Sequence, residues 1–287
     1  MIQEFDLHTH TINSDGEYTT KQLVQKIKES NIKTFAISDH DSIQSINDMK
    51  EIDLTGLNYI KAIEISSILD NKYKMHILGY NIDEKNNQLL EIINNLKQKR
   101  IKRIYDIKNY LKKQYNITLK DEEIENIIKE NNIPGRVHIA KLLVKNNYTK
   151  TVPEAFLKYL DNIKTTTIAR EDATKVIKAI KESGGIAIWA HPKKTEKQHN
   201  INIEEILPNL ISQGLEGIEV YNSLHTYDQS QKYLEIAKKY NILISGGSDY
   251  HGPIAKPNVE LGKIYKDNEN YKIPKEQITL LKKLNIK

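Results

Sequence analysis

Residues 6–10 read Asp6-Leu7-His8-Thr9-His10, and this short run decides how the rest of the chain is read. Side chains two apart on a β-strand point to the same side. From a strand expected over residues 4–10, His8 and His10 therefore aim together at one point, as a chelating pair must. Further along, Phe35-Ala36-Ile37-Ser38-Asp39-His40-Asp41 ends an apolar strand in three titratable groups, which is costly unless they are paired or hold a metal. Lys61-Ala62-Ile63-Glu64-Ile65 embeds one carboxylate in an apolar run, and Met75-His76-Ile77-Leu78-Gly79 does the same with an imidazole. Ile186-Ala187-Ile188-Trp189-Ala190-His191-Pro192 closes a strand on a histidine, with a proline stopping it just behind. Gly246-Gly247-Ser248-Asp249-Tyr250-His251-Gly252 adds an acid and a histidine among glycines that let the backbone turn tightly.

Strands are expected over residues 4–10, 34–40, 59–65, 75–80, 186–191, 217–221 and 243–248, with helical patterns over 20–30, 203–212 and 227–240 between them. This rhythm predicts repeated β–α units, hence an α/β fold with a mostly parallel sheet. Seven of the nine histidines (His8, His10, His40, His76, His191, His225 and His251) fall on these strands, at their C-terminal ends or just after. Asp15, Glu64 and Asp249 accompany them. In a parallel barrel the strand C-termini converge on one face, so these distant residues are expected to meet there. Residues 86–167 break the rhythm: a long lysine-rich helix through Tyr115, helices over 121–130, 137–146 and 152–159, and a Pro134-Gly135 turn replace any strand. The expected division is a barrel core of residues 1–85 and 168–287 with an all-α insertion over 86–167, placed where barrel enzymes elaborate their loops.

With 38% hydrophobic and 28% charged residues the chain has the composition of a folded soluble domain rather than a disordered one. It begins without a basic, then apolar, leader and has no run near the roughly 18 apolar residues of a spanning helix, so the expectation is a cytoplasmic protein with no membrane partner. No obligate protein partner is indicated. The net charge of +5 is read as a solvated lysine-rich surface rather than a nucleic-acid footprint. The chain has no cysteine, so any metal must be held by nitrogen and oxygen. Imidazole with carboxylate suits zinc, manganese or iron, and nine protein ligands are too many for one ion, so two or three divalent ions are expected.

Taken in order, Asp6-Leu7-His8-Thr9-His10 with Ser14-Asp15-Gly16, Ser38-Asp39-His40-Asp41, Glu64-Ile65-Ser66, His76-Ile77-Leu78-Gly79-Tyr80, Ala190-His191-Pro192 and Gly247-Ser248-Asp249-Tyr250-His251 resembles the PHP (polymerase and histidinol phosphatase) superfamily. Gly135-Arg136-Val137-His138-Ile139-Ala140 and Gly217-Ile218-Glu219-Val220-Tyr221 with His225 resemble its TrpH-like branch, which carries a helical insert at this point. The resemblance implies a distorted seven-stranded β/α barrel. It also implies a trinuclear site held by His8, His10, Asp15, His40, Glu64, His76, His191, Asp249 and His251. The implied activity is hydrolysis of nucleoside 3′,5′-bisphosphates or of 5′-phosphorylated oligonucleotides from the 5′ end, by a metal-activated hydroxide. Arg136 and His138 become candidate phosphate clamps, and His225 a candidate substrate contact or proton donor. Asp39 and Asp41 are candidates to orient ligand imidazoles, Lys193 and Lys194 to add positive potential, and His199 is expected to be inert in a polar loop. Asn162-Ile163-Lys164-Thr165-Thr166-Thr167-Ile168-Ala169-Arg170 departs from the branch by lacking a proline and an aromatic, which removes a usual base-stacking group; Tyr159 or Tyr221 could replace it. Rival readings are a histidinol-phosphate phosphatase, a metal-stabilised module without activity, and an amidohydrolase acting on C–N bonds.

Overall fold

The computed structural model describes residues 3–161, 163, 167–264 and 272–286. Its strands are β1 (Phe5–Thr9), β2 (Thr34–Ile37), β3 (Asn58–Leu69), β4 (Tyr73–Tyr80), β5 (Glu171–Asp172), β6 (Ile186–Trp189), β7 (Gly217–Asn222) and β8 (Leu243–Gly247). Its helices are α1 (Thr20–Glu29), α2 (Gln44–Asp48), α3 (Asn87–Tyr115), α4 (Asp121–Glu130), α5 (Arg136–Lys145), α6 (Val152–Ala155), α7 (Ala173–Glu182), α8 (Pro192–His199), α9 (Leu207–Ser212), α10 (Tyr227–Lys239) and α11 (Thr279–Lys283).

Seven strands form one path in the order β1-β2-β3-β4-β6-β7-β8, with the two-residue β5 added beside β3. The path closes on itself past the strand ends. Asp249 donates its N–H to the His8 carbonyl at 2.8 Å, His10 donates to the Tyr250 carbonyl at 2.9 Å, and Thr9 bridges Tyr250. This is the barrel expected from the sequence, with one correction to its direction. β4 runs antiparallel to both β3 and β6, because a tight turn joins it to β3. Asp70 and Asn71, in the three-residue connection between Leu69 and Tyr73, take left-handed φ of 52° and 53°, and the turn is closed by Lys72 N–H donating to the Leu69 carbonyl at 3.0 Å. His76 therefore lies in the first half of its strand, and only the reversal brings it to the face where the parallel strands end.

The barrel core is built from residues such as Leu7, Ile63, Ile77, Ile188 and Val220, all buried. A second apolar cluster joins α3 from Ile104 onward to α4, α5 and α6 through Ile107, Leu111, Ile124, Ile139 and Leu143. The helices of residues 86–167 thus share apolar contacts of their own. After Ala155 the chain continues as one π-type turn, Phe156–Leu160, a geometry that is rare and recurs at functional sites. None of the helices among the described residues is long and apolar enough to cross a membrane.

Candidate metal centre

The centre is assembled from every part of the barrel. β1 contributes His8 and His10, the loop after it Asp15, the end of β2 His40, β3 Glu64, and β4 His76. The residue after β6 contributes His191, and the turn after β8 contributes Asp249 and His251. All nine residues come together. Glu64 and His76 sit diagonally on the β3–β4 ladder, where Glu64 faces Leu78 and His76 faces Ser66, so both project from one face.

Glu64 is the hub. Its Oε1 lies 2.8 Å from both His76 Nδ1 and His191 Nε2. Its Oε2 lies 2.9 Å from His40 Nδ1, 3.2 Å from His8 Nε2 and 3.3 Å from His10 Nε2. Burial alone would raise the Glu64 pKa, but His40, His76 and His8 and the hydrogen bond with His191 hold it well below the usual carboxylate range. Asp15 and Asp249 are likewise held low against their burial, Asp15 by His251 and His40 and Asp249 by Lys256 and His8. Lys256 Nζ donates to Asp249 Oδ2 at 2.5 Å.

Several of these buried atoms have no hydrogen bond: His8 Nε2, both nitrogens of His10, Asp15 Oδ1, His40 Nδ1, Glu64 Oε2 and His191 Nδ1. Buried polar atoms are rarely left without a partner, and here several sit within 4 Å of one another in bad hydrogen-bonding geometry. Cations fit such an arrangement. Three groups of donors lie with all ligand atoms within 4.8 Å of each other: His10, Asp15, His40 and His251; His8, His10, Glu64 and Asp249; and His40, Glu64 and His76. Glu64, His10 and His40 each belong to two of them.

The backbone around the centre is constrained. Asp41, His191 and Asp249 take left-handed φ of 52°, 30° and 57°, a conformation that side chains other than glycine seldom adopt and that collects at functional sites. Gly247 has an ordinary φ, so a tight turn is not what it supplies. A Cβ there would meet the His8 backbone nitrogen at 2.4 Å, so its lack of a side chain is what lets the Gly-Ser-Asp turn rest on β1.

Two of the orienting roles expected from the sequence change hands. Asp39 accepts from Thr11 N–H at 2.7 Å, Thr11 Oγ1 at 2.7 Å and Ser14 Oγ at 2.6 Å, so it fixes the loop carrying Asp15 rather than an imidazole. Asp41 accepts from Ser66 N–H at 2.7 Å and from Arg100 Nε at 2.7 Å, again no imidazole. The carboxylate that does orient histidines is Glu219 on β7. It accepts from His8 Nδ1 at 2.9 Å and from the His191 backbone N–H at 2.7 Å. Its signal in the sequence was an acid inside the apolar run Gly217-Ile218-Glu219-Val220-Tyr221.

The centre opens into a cavity of about 590 Å³ whose wall includes Asp15, His40 and His76. The same wall carries Lys74, Arg100, Arg103, Arg136, Arg170 and Lys194. Arg136 was expected there. Its guanidinium packs 5.3 Å over the Phe156 ring and donates to the Leu160 carbonyl at 3.2 Å. Arg100, Arg103 and Arg170 were not expected. Arg100 had a signal: it falls on the apolar stripe of α3 between Leu96 and Ile104, where a charge is out of place without a buried partner.

The remaining candidates are placed as follows. His138 accepts the Gly135 N–H on Nδ1 at 3.0 Å, which leaves its proton on Nε2, and burial pushes its pKa down to about 4. His225 is fully buried and does not reach the cavity wall. Its Nδ1 donates to the Val220 carbonyl at 2.9 Å, and burial pushes its pKa to about 4 as well. Lys194 lines the cavity, whereas Lys193 turns to Gln229. His199 is the last residue of α8 rather than part of a loop, and its Nε2 accepts the Lys74 N–H at 2.9 Å. Tyr221 is buried in the barrel core with its hydroxyl donating to Gln277 at 2.5 Å, so it cannot stack on a base. In the divergent stretch 162–170, positions 162 and 164–166 lie outside the described residues.

A barrel that gathers this ring of imidazoles and carboxylates under a cationic cavity has the form of a metal-dependent hydrolytic barrel. More specifically, the chain belongs to the PHP domain family, whose model matches residues 6–238. A 5′-3′ exoribonuclease from Haemophilus influenzae is 29% identical to it over 279 residues, covering 92% of this chain and 94% of that protein. A 3′,5′-nucleoside bisphosphate phosphatase from Chromobacterium violaceum is 25% identical over 255 residues, covering 88% of each. Among solved structures, one described as a metal-dependent phosphoesterase from Bifidobacterium adolescentis superposes with a TM-score of 0.78 at 28% identity, covering 93% of this chain and 94% of that one.

Proposed function

We propose that this chain is a metal-dependent phosphoesterase that hydrolyses phosphate esters of nucleotides, either nucleoside 3′,5′-bisphosphates or 5′-phosphorylated oligonucleotides. The observation that carries the reading is the set of buried imidazole and carboxylate atoms left without hydrogen bonds directly beneath a wall of arginines and lysines. The ligand groups suit two or three divalent ions, with Glu64 shared between them and His191 completing the ring. When bound, such ions supply Lewis acidity that activates water and offsets the charge gathering on phosphorus.

The chain's own groups do the rest. Arg136 and Arg103 present planar guanidinium forks suited to the oxygens of a second phosphate, while Arg170, whose Nη1 donates to the Ser67 and Met75 carbonyls at 3.1 and 2.8 Å, adds positive charge to the same wall. His138 does not itself line the cavity, but it directly follows Gly135, Arg136 and Val137, which do, and Asp15 acts on it. Neutral at pH 7 with a proton on Nε2, it is our candidate for donating to the leaving oxygen. His225 loses that role here, since its Nε2 lacks a proton and it lies off the cavity. We take residues 86–167 as a helical subdomain over the barrel of residues 1–85 and 168–287. It excludes water from the reacting phosphate and supplies Arg100, Arg103 and Arg136 to the wall.

The test is phosphate release by Mn²⁺-loaded protein from a nucleoside 3′,5′-bisphosphate, a 5′-phosphorylated oligoribonucleotide and histidinol phosphate. Release from either nucleotide supports the reading. Release from histidinol phosphate alone, or none from metal-loaded protein, overturns it.

A further inference from the structure

The net positive charge of this chain is carried largely by one helix. Helix α3 alone holds eight lysines and arginines against Glu91 and Asp106, a net of +6. The whole chain nets +5, so everything outside this helix is slightly acidic. A solvated face enriched by drift would not concentrate the net charge in one of the eleven α-helices among the described residues.

The charge also follows a direction. Lys99, Arg103, Asp106, Tyr110 and Lys113 recur at spacings of four and three, so they form one flank of the helix. This flank adjoins the cavity: Arg103 lines it, Lys99 Nζ donates to the Arg170 carbonyl at 3.0 Å and pairs with Glu171 at 2.9 Å, and Asp106 accepts the Thr167 N–H at 3.0 Å, so its unpaired cations among the described residues are Arg103 and Lys113. Two turns beyond Arg103, about 10 Å along the axis, comes Tyr110. Its ring lies 6.2 Å from Tyr115, which meets Tyr159 edge-on at 5.0 Å. Tyr159 is reached from the cavity by a second route, since Phe156 lines the cavity and Tyr159 is three residues later on the same π-type turn. Two elements thus lead from the cavity to the same three tyrosines. Tyr115 is 42% exposed, and Lys102, Lys112 and Lys113 are exposed with no carboxylate paired to them among the described residues.

We propose that this flank, completed by Tyr110, Tyr115 and Tyr159, is a docking track for the single-stranded RNA that trails from a 5′ end seated at the metal centre. The inference rests on the nucleotide-ester reading above and adds where the body of a long substrate runs. Unpaired lysines along a backbone path with interleaved aromatic rings are the combination that holds single strands without regard to sequence, through phosphate contacts and base stacking. It also supplies, outside the cavity, the aromatic surface that the cavity itself largely lacks.

The test is fluorescence anisotropy of metal-loaded full-length protein with a 5′-phosphorylated ten-nucleotide RNA carrying cleavage-resistant phosphorothioate linkages, compared with the corresponding dinucleotide. Wild type is expected to hold the ten-mer at least tenfold more tightly than the dinucleotide. The double substitution Tyr115→Ala with Lys113→Glu is expected to erase most of that advantage and flatten its salt dependence, while Tyr115→Phe, which keeps the ring, retains it. Hydrolysis of a nucleoside bisphosphate by the double variant should match wild type, which also shows that the variant is folded. Equal binding of ten-mer and dinucleotide by wild type, or an undiminished ten-mer advantage in the folded double variant, overturns the track. Absence of hydrolysis of both the bisphosphate and the unmodified 5′-phosphorylated oligoribonucleotide by wild type overturns the phosphoesterase reading instead, and the binding comparison still decides the track.

Discussion

Glu219 and His8 are joined across the barrel, the carboxylate Oε1 accepting the His8 Nδ1 proton at 2.9 Å with both side chains fully buried. This bond fixes the tautomer, so Nε2 of His8 is the nitrogen turned toward Glu64 and Asp249. The second oxygen of Glu219 holds the His191 backbone, so one carboxylate sets two histidines, one on β1 and one just after β6.

Replacing Glu219 with Gln should therefore weaken metal binding by about 10- to 100-fold, the usual cost of losing an outer partner of a ligand histidine. Manganese titration of chelated and dialysed protein reads this directly. Unchanged affinity would remove Glu219 from the site.

Removing the metals should cost stability, since the orphaned nitrogens and carboxylate oxygens are left facing each other. At a free metal concentration 100 times the dissociation constant, occupancy contributes about 2.7 kcal/mol per site. Thermal unfolding with and without chelator, followed by refilling with Mn²⁺, checks it. His191→Ala or Asp249→Ala should lower the bound metal per chain while leaving a folded protein, and an unchanged metal count would sink the assignment of those ligands.

Arg100 on α3 donates through Nε to Asp41 at 2.7 Å, and through Nη2 to Asp41 and to Ser66 Oγ. Removing one partner of a buried pair strands the other charge, so Arg100→Ala should destabilise the protein by about 3–5 kcal/mol. Urea unfolding measures it. A loss below about 1 kcal/mol would mean that solvent reaches Asp41.

Arg136→Ala should raise KM for a bisphosphate about tenfold or more with a smaller effect on kcat, because the guanidinium is placed for binding rather than at the reacting atoms. Arg136→Lys should recover only part, since an ammonium cannot reproduce the planar fork. A fall in kcat at constant KM would contradict this placement.

His225 supplies the pH prediction. Burial lowers its folded pKa to about 4, against about 6.5 in the unfolded chain. A depressed pKa means that the unfolded chain binds the proton first, so the stability is complete above about 6.5 and is lost as pH falls toward 4. The shift corresponds to roughly 3 kcal/mol at most. His225→Asn can keep the bond to Val220 without titrating, so metal-free unfolding curves at pH 7, 5.5 and 4.5 should show wild type losing stability relative to the variant toward the acid end. Curves that stay parallel would clear His225 of any part in acid sensitivity.

Much of this molecule was legible in one dimension. The strand pattern and the spacing of His8 with His10 announced the barrel and its chelating edge, because a strand's two-residue period fixes which side chains share a face. Charges inside apolar runs marked Glu64 and His76, since burial leaves such groups few roles. The same rule marked Glu219 and Arg100, but a strand or helix gives no hint of which partner a lone charge will find. That depends on separations of 211 residues for Glu219 and His8 and 59 for Arg100 and Asp41 closing to 2.9 and 2.7 Å.

The sequence by itself determined the chemistry: without cysteine, only nitrogen and oxygen donors are available, and their order along the chain fixes which strand offers each one. Tertiary structure decided the geometry. It reversed β4 so that His76 joins the others, and moved the orienting role from Asp39 and Asp41 to Glu219. It took His225 out of the cavity and brought three further arginines into it. The reason is physical. Periodicity reports the face on which a side chain lies, whereas a metal centre and the wall above it depend on which faces close around a common space, and only the packed barrel sets that.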